Sequence, residues 1–194
     1  MSKLLSILSR DAARYRQLGG IRNNLGFWIV ATHRLRDHAR TVENPLVGLP
    51  LRATCKAVSL LWQSLLGVRL SEQATIGPGL CLIHPRDVVI GAANIGEDCL
   101  LFHEVTIEGG TSGPRVGDRV DVYVGAKVLG DVQVGNDAKI GANCVVTTDV
   151  EAGCNVVTAA GRVIPAAVVS AFGPRHCTTE VRDNEGGMRP RRDQ

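Results

Sequence analysis

Between Ile95 and Val146 an aliphatic residue returns at every sixth position: Ile95, Leu101, Ile107, then Val116, Val122, Val128, Val134, Ile140 and Val146. Only the step from Ile107 to Val116 breaks the rhythm, by three extra residues. Gly follows at 96, 117, 135 and 141. The fifth place of each hexad is small or aliphatic: Cys99, Val105, Val120, Ala126, Val132, Ala138, Cys144 and Val150. Neither the helical period nor the two-residue alternation of a hairpin sheet repeats at six. A hexapeptide period predicts a parallel β-helix, each hexad giving one short strand and a turn, three hexads closing a triangular coil. Residues about 18 apart then stack at the inter-strand spacing of about 4.8 Å. The aliphatic residue fills the prism axis and the small one fits the tight corner.

Aromatic residues make up only 4% of the chain, so such a core is built of Val, Ile, Leu and Ala. The six cysteines, at 55, 81, 99, 144, 154 and 177, form no C-x-x-C pair and no disulfide-like spacing. Cys99 and Cys144, at small corner positions, read as buried small hydrophobes. Met1 to Leu8 is too short an apolar run for a signal peptide before Arg10 and Asp11, and nothing approaches a membrane span. The expected setting is soluble, reducing and cytoplasmic, without nucleic acid.

Charge is distributed unevenly. Residues 1–69 hold 11 Lys/Arg against 3 Asp/Glu, whereas residues 70–174 hold 6 against 12. The basic residues are interleaved with apolar ones on predicted helices, which points to a basic helical cap complementing an acidic prism.

The pattern predicts helices over 2–17, from Gly26 to about Arg40, and from about Arg52 to Leu66, with Pro45 and Pro50 punctuating the gap. The domain reading is an N-terminal helical domain over 1–69, a β-helix over 70–164, and a C-terminal extension over 165–194, polar and partly disordered. An open solenoid end needs a cap, which the helices supply at one end and Val163–Phe172 at the other. With so few coils, several prisms are expected to associate through exposed Val/Ile flats.

Two histidines stand out. His84 is third in the hexad from Leu82, and His103 third in the hexad from Leu101. One extra residue near Val88–Ile90 would put both on one face in adjacent coils, one coil before a Gly-rich loop over 108–115. No third His or Cys falls on that face with ligand spacing, so no metal is expected.

These residues carry a resemblance. Gly79–Pro85 (GLCLIHP) with Val88–Gly91 (VVIG), Leu101–Thr111 (LFHEVTIEGGT), and the stretch from Val124 through Ala142 resemble the serine O-acetyltransferase branch of the hexapeptide-repeat acyltransferases. Before the repeat, Arg10-Asp11-Ala12-Ala13 and Gly26-Phe27 are similar to that branch's Arg-Asp-Pro-Ala and Gly-Phe. The similarity spans roughly residues 9–164. It implies a left-handed β-helix, a homotrimer or dimer of trimers, and acetyl-CoA as co-substrate. By this resemblance His84 and His103 are the candidate catalytic residues, His84 as general base on an acceptor hydroxyl. Asp11, Glu104 and Arg115 are candidates for the acceptor. Tyr123, Val124, Lys139, Gly141, Ala142 and Arg162 are candidates for the CoA groove, and Lys127 and Arg115 are further candidates for its phosphates.

The chain also departs from that branch. Ile83 precedes His84 where the serine enzymes have Asp, and the loop reads Ser112-Gly113-Pro114-Arg115 without their second histidine. About Arg69 stands where an acidic residue is expected, and Thr158-Ala159-Ala160-Gly161-Arg162 replaces a Gly-Val-Pro-Ala-Arg closing pattern. Three readings follow: acetyl transfer to serine or a related amino acid, transfer to a sugar or natural-product hydroxyl or amine, and a non-enzymatic scaffold. The short loop argues for the second over a strict serine enzyme; Asp11 and the helical cap argue for the first.

Overall fold

The computed structural model describes residues 2–22 and 24–159. Arg162, the Val163–Phe172 cap and the 165–194 extension lie outside the described residues. Helices and coils pack as one compact unit ending at Thr158.

Three helices come first: α1 (Ser2–Gln17), α2 (Leu25–Arg40) and α3 (Pro45–Leu66). The Asn24 and Asn44 side chains cap α2 and α3, accepting from the Gly26 and Leu46 N–H groups at 3.2 and 3.0 Å. Helix α3 starts seven residues before the expected Arg52. Pro45 sits in its first turn, where no N–H is needed, and Pro50, inside the helix, gives up one bond to the Leu46 carbonyl. Gly67, with φ +68, ends the helix in the left-handed region.

Five coils follow. The first holds β1 (Arg69–Leu70), β2 (Thr75–Ile76) and β3 (Cys81–Leu82); the second β4 (Val89–Ile90), β5 (Asn94–Ile95) and β6 (Leu100–Leu101). The third holds β7 (Thr106–Glu108), β8 (Arg115–Val116) and β9 (Asp121–Val122); the fourth β10 (Lys127–Leu129), β11 (Gln133–Val134) and β12 (Lys139–Ile140). The fifth has β13 (Val145–Val146), a bridge from Val150 to Val134, and β14 (Asn155–Val156). Strands stack in parallel into three sheets, β1-β4-β7-β10-β13, β2-β5-β8-β11 and β3-β6-β9-β12-β14. The aliphatic series and its fifth-place partners from Cys99 to Cys144 are all at most 5% exposed, so each hexad sends two residues inward.

The register corrects one reading. Val150 is not a fifth-place residue: it pairs with Val134, so the step after Val146 is two residues short. The flats differ from expectation too. Outward strand positions are mainly polar, such as Arg69, Thr75, Asn94, Lys127 and Lys139, and among the described residues only Val145 and Val157 are large exposed hydrophobics on the coils. The exposed apolar surface lies instead on the helices, at Leu46, Leu49, Leu60, Leu61 and Leu65 of α3. No helix among the described residues is long and apolar enough to cross a membrane.

At the open end of the first coil the helices do what a further coil would do. Asp11 accepts from the Gly79 N–H at 2.6 Å, the Tyr15 hydroxyl from Leu82 N–H at 2.7 Å, and the Leu66 carbonyl from Asp87 N–H at 2.8 Å. Arg34 donates to the Ile76 and Gly77 carbonyls, and Arg36 to those of Leu70 and Ser71. The basic block is thus spent largely on edge carbonyls, which would otherwise be buried without partners. Ion pairs to the acidic coils add to it, as from Arg10 to Glu97 and Asp98.

Candidate active site

Four stacked corners join the third sheet to the first, and they gather most of the candidate residues. In the second, third and fourth coils the corner has four residues: Phe102–Val105, Tyr123–Ala126 and Gly141–Cys144. Hydrogen bonds fix their register. Gly125 N–H donates to the His103 carbonyl at 3.1 Å, and Asn143 N–H to the Val124 carbonyl at 2.8 Å. His103, Val124 and Ala142 therefore form one column; Phe102, Tyr123 and Gly141 form the next. The Phe102 and Tyr123 rings stack with centroids 5.2 Å apart and planes 19° apart.

The first coil breaks this pattern at His84. Leu82 pairs with Leu101 and Val89 with Thr106, so six residues, 83–88, span what four span elsewhere. Glu104 N–H donates to the Arg86 carbonyl at 2.7 Å, so Arg86 is the counterpart of His103. His84 and Pro85 are the two inserted residues. The single extra residue expected near Val88–Ile90 is the net of this insertion and a step one residue short from Ile90 to Ile95. The two histidines share a corner, but not a register position.

His84 is exposed and has φ +49. Six other non-glycine residues among those described have positive φ: Asp87, Asp98, Glu104, Arg119, Asp137 and Asn143. Each of the six donates its N–H to the element stacked before it, the regular corner conformation. His84 alone adopts it outside that pattern. A left-handed backbone costs an L-residue about 1 kcal/mol or more and is found preferentially where function holds it. His103 is half-buried, and its Nδ1 is enclosed without a hydrogen-bond partner among the described residues. Glu104 is exposed beside it.

Four other candidates lie outside the corner itself. Asp11 is 0% exposed, and both its oxygens are engaged, by Arg34 at 3.1 and 3.5 Å and by Gly79 N–H. It stands at the corner before β3, not at the histidine corner after it. Arg115 begins β8 on the second sheet, past the Gly-rich loop, so within one chain β7 separates both from the histidines. That loop is pinned by Asp131, which accepts from Thr111, Ser112 and Gly113 N–H groups at 2.9, 2.7 and 2.8 Å. These bonds, Thr111 first, hold the Asp131 carboxyl below its ordinary pKa. Lys139 is exposed on β12, just before Gly141, with its Nζ 3.9 Å from an Asp121 oxygen. Lys127 is exposed on β10 and donates to the Gly125 carbonyl at 3.3 Å.

Reading forward from Leu82 in sixes misses Arg86 and Phe102. Counting back from Val88, the small corner place matching Val105, would have found Arg86. Among the described residues no group of three or more His, Cys, Asp or Glu is placed to hold a metal ion.

No protein-family model matches the chain. It is 41% identical over 115 residues to a serine acetyltransferase of Helicobacter pylori, covering 56% of this chain and 67% of that one. It is 39% identical over 129 residues to a serine acetyltransferase of Mycobacterium tuberculosis, covering 63% of this chain and 56% of that one. Among solved structures, the soybean serine acetyltransferase apoenzyme is similar, with a TM-score of 0.68 and 27% identity over 84% of this chain and 70% of that one. The chain thus spans between about half and two thirds of these two curated relatives.

Proposed function

The chain belongs to the serine acetyltransferase family, and on that premise we propose that it moves an acetyl group from acetyl-CoA to the hydroxyl of a small acceptor, with His84 as general base. The observation that carries this is the two-residue insertion. It lifts His84 out of the regular column and holds it exposed in a left-handed backbone.

Acetyl-CoA brings an acetyl group already activated as a thioester. A hydroxyl attacks it poorly unless its proton leaves as the bond forms, and imidazole is the side chain suited to that exchange near neutral pH. His84 takes the hydroxyl proton as the new O–C bond forms and passes it to the departing thiolate as the C–S bond breaks. His103, with an unsatisfied Nδ1, positions the acceptor. Further along the corner, the small, exposed Ala142 beside Gly141 leaves room for a close approach, and Lys139 offers a cation to an anionic chain. Tyr123 and Val124 stand one coil before Gly141 and Ala142 in the same corner columns, so we assign these residues to the co-substrate. Asp11 is assigned to holding the cap.

The short loop, tied down by Asp131 and without a histidine, supports a second reading in which the acceptor is a sugar or natural-product hydroxyl or amine. We further propose a homotrimer or dimer of trimers in the cytoplasm. The unpaired thiols of Cys55, Cys81, Cys99, Cys144 and Cys154 support a reducing compartment. Thiol release from acetyl-CoA, measured with L-serine and then with a sugar and amino-acid panel, tests the function. Release with an acceptor supports it; no release and no acetyl-CoA binding would leave only the scaffold reading.

A further inference from the structure

Helix α3 turns an apolar face outward that the acetyl-transfer reading does not use. Its two buried residues, Gly48 and Cys55, mark the side packed on α2. On the rest of its surface Leu46, Val47, Leu49, Leu60, Leu61 and Leu65 are each more than half exposed. At about 30 Å² per aliphatic carbon, these six leave roughly 450 Å² of apolar surface bare. A partner in a standard homodimer contributes about 800 Å², about two thirds of it apolar. With the exposed Pro50, Ala53 and Ala57, one helix supplies most of that share.

The face is also self-complementary. Counted outward from Cys55, Ala53 mirrors Ala57, Pro50 mirrors Leu60, Leu49 mirrors Leu61, and Leu46 mirrors Ser64, next to Leu65. At 100° per residue all of these fall on the side opposite Cys55. An isologous contact needs this symmetry, since residue i must meet j while j meets i.

We propose that α3 pairs antiparallel with α3 of a second copy, about a two-fold axis at the level of Cys55. Ala53 and Ala57 let the backbones approach at the crossing, and leucines interdigitate on either side of it. Charge agrees with this pairing. Arg52 and Lys56 are the only charged residues of α3. Arg52 turns back to the Ala39, Arg40 and Val42 carbonyls, and Lys56 meets Thr54 of the other copy, so no like charges oppose each other. A helix lying on a membrane carries free cations along its polar face, whereas here that face packs on α2 and Arg52 is engaged. The contact joins two units, whether each is a trimer or one chain, and does not depend on the chemistry at His84.

Sedimentation equilibrium of the full chain, with circular dichroism for helix content, tests the pairing. Leu49→Glu and Leu61→Lys, each at an exposed position, should each halve the mass and raise the dissociation constant at least tenfold with helix content unchanged. The double variant should recover the larger mass, because each introduced carboxylate then faces the other copy's introduced ammonium. Twelve residues apart on one helix, the two charges are about 18 Å from each other within a chain, so rescue reports the antiparallel contact. A mass unchanged by either single substitution would overturn the proposal. So would a fall to one third, which would place α3 inside a trimer, or a double variant that stays dissociated. Flotation with phosphatidylglycerol vesicles that Leu49→Glu abolishes would also overturn it, by making the membrane the occupant.

Discussion

His103 stands one coil on from Arg86, with Glu104 N–H donating to the Arg86 carbonyl at 2.7 Å, and His84 lies in the insertion outside that column. The two imidazoles therefore meet different parts of the same corner and should have separable roles. His103→Ala is expected to raise the acceptor KM about tenfold while leaving the acetyl-CoA KM nearly unchanged, as loss of one hydrogen bond to the acceptor would. Steady-state kinetics with each substrate varied checks this. Equal changes in both constants would count against a positioning role.

Asp11 separates a structural role from an acceptor-binding one. It is fully buried against Arg34, itself 5% exposed, and against the Gly79 N–H. Asp11→Ala leaves a buried guanidinium and an unpaired amide, and should destabilise the fold by about 3–5 kcal/mol. Urea unfolding measures it. An unchanged midpoint with a raised acceptor KM would instead put Asp11 in the acceptor site.

Gly26 sets helix propensity against packing. In the first turn of α2, an added Cβ would come within 2.2 Å of the Leu82 carbonyl oxygen and 2.8 Å of the Tyr15 hydroxyl. Ala is favoured over Gly in a helix by about 1 kcal/mol, but this contact is with strand backbone and outweighs it. Gly26→Ala should therefore lower the thermal midpoint. A rise would show that α2 can withdraw from β3 without loss.

Asp131 makes the loop sensitive to acid. Its folded pKa is depressed, so the loop's attachment is complete above the free carboxyl's value of about 3.9 and is lost as pH falls through the folded value. Amide protection at Thr111, Ser112 and Gly113 should decline below about pH 4 and be absent at neutral pH in Asp131→Ala, which removes both acceptor oxygens. Protection unchanged in that variant would mean that other contacts hold the loop.

Much of the scaffold was legible because one period governs it. From Ile95 to Val146 each hexad's first and fifth residues face inward, and the sequence shows both places directly. Reading failed where the period slips. Leu82 to Ile90 is two residues long and Ile90 to Ile95 one short, so the errors nearly cancel in sequence while moving His84 out of register. The step to Val150 is hidden likewise, since valine suits either place. The start of α3 was missed because Pro45 and Pro50 read as breakers, although a capped first turn accepts one and a long helix the other. The burial of Asp11 was not legible because its partner, Arg34, lies 23 positions away on another helix.

The most direct test of the central claim is acetyl-CoA turnover by His84→Ala, measured as thiol release with the acceptor on which the unaltered chain is active. The account predicts a fall in kcat of about 10²–10⁴-fold with acetyl-CoA binding and oligomer size unchanged. Turnover equal to that of the unaltered chain would contradict it.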